Sequence, residues 1–93
     1  MRLKFNRDNP IWMSNEDYNH IFVTDTMRDI NILIRNDGYI YLNKIYEMFA
    51  IRWDPFAKEN LVFTKPLIYT VSTARSGLTG DLVALIIEFK EAE

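Results

Sequence analysis

His20 is the only histidine in the chain, and Asp17 and Asn19 are close enough in sequence to orient its ring. A general base needs a nucleophile or a substrate proton within hydrogen-bond reach, and the surrounding residues nominate neither. A surface or capping role is the reading that remains. Asp25 and Asp29 stand one helical turn apart, as Asp54 and Lys58 would on a helix. Paired carboxylates can bind a metal or divide acid and base roles. Here Arg28 lies between the first two and a helix start is expected beside them, so charge compensation accounts for the pair. The stretch Arg75 to Asp81 holds two glycines and two hydroxyl residues, but it lacks the Gly-Lys-Ser/Thr ending and the strand-to-helix context of a phosphate loop, and reads as a hairpin loop. Trp12, Trp53, Tyr39, Tyr41, Tyr46 and Tyr69 offer stacking surfaces, yet their spacing assigns most of them to a core. No catalytic, cofactor-binding or metal-ligating residue is expected, and the chain reads as non-enzymatic.

The elements that must position these residues come from a chain of 93 residues, enough for one domain with a single modest core, taken as residues 1–93. Hydrophobic residues make up 48% and charged residues 26%, which separates the sequence from disordered ones. There is no cysteine, so disulfides and thiolate sites are excluded together. No leader-like apolar run or membrane-length stretch is present, and an intracellular chain with no membrane partner is the default expectation. Eleven Lys and Arg against 13 Asp and Glu give a net charge of -2. Clustered cations are what release counterions from a phosphate backbone, so nucleic acid is the lesser expectation for a partner.

Leu3 and Phe5 alternate with Arg2, Lys4 and Asn6 as in a half-buried strand. Ser14 has the composition of a helix cap, but residues 14–24 fit helix and strand about equally. Val23, Met27, Ile30, Leu33 and Ile34 then recur at helical spacing, predicting a helix over 25–36 capped by Thr24 or Asp25, with Ile32 alone on its opposite face. Residues 52–60 read as a connection with one helical turn, and Leu61 to Thr64 as a short strand. Leu67 to Ala74 and Leu82 to Phe89 alternate with period two around the glycine-bearing loop, predicting an antiparallel hairpin with a long, mobile connection and a fraying end at Lys90 to Glu93. Leu82 and Ile86 fall on the second face of that hairpin, where they are either covered or available for association.

Asp37-Gly38 can end the first helix, Tyr39 to Tyr41 has strand character and is expected to pair with the hairpin, and Leu42, Ile45, Tyr46 and Phe49 give a second helix over 43–50. At Gly38 to Ile51 the chain resembles a group of small phage and prophage proteins of unassigned function. In that group a helix leads into a Gly-aromatic-Val-Thr-Val segment, an Asp-Leu-Tyr-Asp helix, Gly-Leu, a loop and a β-hairpin. Gly38, Tyr39, Ile40, Leu42, Ile45, Tyr46, Glu47 and Ile51 match, over a region of residues 24–70. Tyr41 replaces the capping Thr, Ala50 the helix-ending Gly, and Leu61-Val62-Phe63 the Trp that often precedes the hairpin. The resemblance carries no catalytic residues. It implies a viral or prophage accessory protein that acts by contact inside a bacterial cell.

The expected fold is α+β, with two or three short helices on a small antiparallel sheet containing a C-terminal hairpin. The expected function is protein–protein interaction or assembly, with a protein partner or a second copy held in the host cytoplasm on a surface including Ile32, Leu82 and Ile86. The alternative is a degenerate winged-helix-like DNA-binding or regulatory protein, suggested by the helix, strand, helix and hairpin order but short of a basic recognition helix.

Overall fold

The run Leu82 to Phe89, apolar except for Glu88, forms the middle of a sheet, because alternation along it supplies buried side chains while neighbours on both sides satisfy its backbone. In the computed structural model, which describes residues 1–53 and 60–93, the elements are β1 (Arg2–Asn6), α1 (Glu16–Asp37), β2 (Ile40–Tyr41), α2 (Leu42–Met48), β3 (Val62–Phe63), β4 (Leu67–Arg75) and β5 (Leu82–Glu91). The fold is α+β with antiparallel sheets. A three-stranded sheet has the order β1-β5-β4, and β2 pairs with β3 separately. The helical turn expected near residue 55 and the Asp54–Lys58 pair lie outside the described residues.

In the larger sheet Leu3 faces Ile87 and Phe5 faces Leu85 across β1 and β5, while Tyr69 faces Phe89 and Val71 faces Ile87 across β4 and β5. These side chains share one core with Val23, Met27, Ile30 and Ile34 of α1, closed at one end by Phe5 against Trp12 and Phe22 and at the other by Phe63 against Phe89. The hairpin register slips once. Ala74 pairs with Ala84 and Arg75 with Leu82, leaving Val83 as the extra residue of a bulge. Beyond a bulge the period of two restarts on the other face, so Leu82 turns inward and is buried. The expected fraying of the last residues is also corrected, since β5 continues to Glu91 and the Ala92 N–H donates to the Pro66 carbonyl at 2.8 Å.

Helix α1 is one continuous helix of 22 residues, which settles residues 14–24 as helical from Glu16 onward. Its cap is Asn15, whose side chain accepts from the Asp17 N–H at 2.9 Å, in place of Ser14, Thr24 or Asp25. In the first turns of α1 Tyr18 and Ile21 are exposed, so the apolar residues there mark no buried face, while Phe22 reaches round to Phe49. Thr24 and Thr26 sit inside the helix with hydroxyls donating to carbonyls of the preceding turn, Thr26 to Phe22 at 2.7 Å.

Both helices end through residues in the left-handed region. Gly38 has φ 85° and donates its N–H to the Ile34 carbonyl at 2.8 Å. Ala50 takes φ 55° at the corresponding place after α2, where the Ala50 N–H reaches Glu47 O at 3.0 Å and the Ile51 N–H reaches Tyr46 O at 2.8 Å. This paired closure is the Schellman arrangement, normally built on glycine. It ends α2 at Met48, two residues short of the expected boundary. At its other end Tyr41 provides no side-chain cap. The amides of Leu42 and Asn43 are satisfied instead by Leu61 O at 2.7 Å and Asn60 Oδ1 at 3.1 Å, from the far side of the connection. Tyr41 pairs with Val62 and Ile40 with Phe63, so the strand expected against the hairpin lies against β3.

These two turns predict opposite shifts. Nothing stands within 4 Å of a Cβ added at Gly38, so Gly38→Val suffers only the backbone cost of a branched residue at positive φ. A loss of about 1–2 kcal/mol and a fall in Tm of roughly 5–15 °C are expected. Ala50→Gly relieves the same strain and should raise stability by about 0.5–1 kcal/mol, read from the urea midpoint at unchanged m-value.

Candidate functional site

Among the described residues no group of three His, Asp or Glu side chains is placed to hold a metal ion, and every buried side-chain nitrogen or oxygen has a hydrogen-bond partner. Asp25 and Asp29 both face Arg28, at 3.4 and 3.8 Å. They lie mid-helix, so Arg28 accounts for them and the helix start does not. The His20 carbonyl accepts from the Thr24 hydroxyl, within ordinary helix geometry. The Arg75 to Asp81 stretch is a hairpin loop, closed by Ser76 N–H to Asp81 O at 2.8 Å and Gly80 N–H to Ser76 O at 2.9 Å. It is a bonded turn where a long, mobile connection was expected, and its Arg75 is held by Glu16 at 2.7 Å.

Three asparagines join backbone segments that local structure leaves unpaired. Asn9 donates to Phe49 O at 2.7 Å, finishing the end of α2 from the β1 side. Asn19 exchanges both amide bonds with the backbone of Met13, at 2.9 and 2.8 Å. Asn31 does the same with Leu67, accepting from its N–H at 2.7 Å and donating to its carbonyl at 3.0 Å. A primary amide presents a donor and an acceptor side by side, as a peptide group on a neighbouring strand does. Asn31 therefore stands where the next strand beyond β4 would begin.

The residues anticipated as a partner surface do not share one. Leu82 is 6% exposed and belongs to the core, which corrects its expected place on the open face. Ile32 is half-buried on α1, lining a shallow depression with Pro66 and Thr64. Ile86 alone lies on the sheet face turned away from the core, half-buried between Lys4 of β1 and Ser72 of β4. Around it are Thr70, Lys90, the Arg2–Glu88 pair at 3.8 Å and Ile68, which is 50% exposed. The face is thus two apolar groups set among charges of both signs.

A second apolar surface was missed. Tyr39 and Tyr41, two of the aromatics of which most are expected in the core, are 48% and 47% exposed and meet edge to face at 5.4 Å. Leu61 and Val62 are exposed beside them, because the short β2–β3 pair turns only Ile40 and Phe63 inward. A two-residue strand offers too few positions for alternation to reveal its faces. On α2 the exposed positions are Lys44 and Glu47, opposite charges one turn apart. Among the described residues no helix is long and apolar enough to cross a membrane. No family model matches the chain, and no curated protein or solved structure is significantly similar to it.

Asn31 is the interaction at this edge most open to test. Asn31→Ala leaves the Leu67 N–H and carbonyl to a half-exposed site that water reaches incompletely, and should cost about 1–2 kcal/mol in chemical denaturation. Asn31→Asp keeps the acceptor and loses the donor, so a smaller loss is expected at neutral pH.

Proposed function

We propose that this chain is a non-enzymatic interaction or assembly module of phage or prophage type, and that it binds a protein through the sheet face carrying Ile86 and Ile68. The observation that carries the reading is the unequal treatment of the two sheet faces. One is filled by α1, while the other leaves Ile68 half in solvent and surrounds Ile86 with exposed polar groups, with no described element packed over it. Small apolar anchors ringed by charge suit a specific protein contact, in which the centre supplies burial and the rim sets orientation. The resemblance over residues 24–70 supports the phage or prophage assignment. A protein partner is preferred over duplex DNA because α2 buries Leu42 and Ile45 and turns outward only Lys44 and Glu47, which is no groove-reading face.

Ile86→Asp and Ile68→Asp change one side chain each on an already open face, so the fold should hold with Tm within a few degrees. Both should abolish recovery of a partner that the unaltered chain captures from extract of its native host. Equal recovery by all three proteins would remove this face from consideration.

A further inference from the structure

We infer that the outer edge of β4 is a strand-addition site whose occupant is a second copy of this chain, paired antiparallel about a twofold axis at Val71. The inference rests on the interaction-module reading and supplies one of its partners.

The ladder fixes which backbone groups are available. The Phe89 N–H turns toward β1, where it donates to Met1 O at 3.0 Å, and the Pro66 carbonyl turns toward β5, where it accepts from Ala92. Even-numbered residues of β4 therefore bond to β5, and odd-numbered ones point their N–H and C=O groups away from the sheet. Leu67, the first of these, is taken up by Asn31. Tyr69, Val71 and Thr73 have no such partner among the described residues. At the far end Arg75 is tied to Glu16. The open stretch is thus bounded on both sides and centred on Val71.

The two edges of the sheet are protected very differently. On β1, Arg2 and Lys4 put a charge at every second residue, the usual defence against strand addition. From Leu67 to Ala74 β4 has no charge, no proline and no glycine. Four of its residues, Ile68, Thr70, Val71 and Thr73, are β-branched, and Tyr69 adds an aromatic ring, a composition that favours pairing.

The stretch is also complementary to itself. With Val71 opposite Val71 of the second copy, Tyr69 faces Thr73, Thr70 faces Ser72 and Ile68 faces Ala74. Each outward N–H meets an outward carbonyl, and no like charges meet. An axis normal to the sheet gives one continuous sheet, β1-β5-β4-β4-β5-β1, with both α1 helices on one side and both Ile86 faces on the other.

Sedimentation velocity across about 1–300 µM, the range over which weak dimers dissociate, should show a reversible monomer–dimer equilibrium. Thr70→Lys with Ser72→Lys places ammonium groups opposite each other on both sides of the axis and should weaken the dimer by at least about tenfold. Thr70→Lys with Ser72→Glu makes the same positions complementary and should retain it. Val71→Pro removes an outward N–H without touching the bonds to β5 and should also give monomer. A chain that is monomeric throughout, or a dimer indifferent to the two charge patterns, overturns the inference. Loss of host-partner capture in Ile86→Asp alongside a monomeric parent chain would sink the edge pairing and leave the module reading standing. A charge-sensitive dimer with capture unaffected by Ile86→Asp would support the edge pairing and remove the face.

Discussion

Burying β5 is the condition on which the other elements depend. Leu85, Ile87 and Phe89 can leave water only if the N–H and C=O groups between them are bonded on both sides, because an unpaired buried peptide group costs as much as the burial of a small side chain returns. β1 and β4 provide those bonds, and α1 covers the apolar face they create with Val23, Met27, Ile30 and Ile34. The chain gains a core from one central strand at the expense of two edges. What is done with each edge is then a separate question, and it is answered differently on β1 and β4.

The backbone accounting beyond the sheet is closed by residues remote in sequence. The start of α2 has no side-chain cap of its own and borrows Asn60 and Leu61, while its end borrows Asn9. α1 borrows less, with Asn15 and Gly38 at its ends, and instead lends Asn19 and Asn31 to Met13 and Leu67. An amide side chain works in these places because it copies the donor and acceptor of a peptide unit without requiring another strand. Each such bond also fixes the distance between two elements, so the asparagines set tertiary positions as well as filling valences.

This division explains what could be read in the chain beforehand. The period of two in β1, β4 and β5 and the helical stripe from Val23 to Ile34 depend on residues close in sequence, and they led directly to an α+β fold with a C-terminal hairpin. The start of α1 was misplaced because Tyr18 and Ile21 are apolar without being buried, so hydrophobicity there carried no phase information. Leu82 was put on the wrong face because one bulge residue reverses alternation and leaves no compositional mark at Val83. The spacing of the aromatic residues points most of them to a core, and Tyr39 and Tyr41 depart from it because two-residue strands give the pattern no length in which to show their faces. The partner surface failed as a set for the same reason: Ile32, Leu82 and Ile86 were grouped by polarity, and their grouping in space depends on a bulge and a helix position that polarity does not encode.

The face and the edge are linked by geometry. A strand added to β4 extends the sheet sideways, so whatever binds the Ile86 face of one copy would meet a second such face in the same plane. Arg2, Glu88, Lys4 and Lys90 frame each apolar centre, and on the paired sheet these charges recur about the same axis. A partner with twofold symmetry, or one with two copies of a short motif, would then bind by two contacts whose strengths multiply through effective concentration, even though each face offers only two isoleucines. An edge left without charge, which is a liability in an isolated domain, becomes in that setting the feature that converts a weak surface into a useful one.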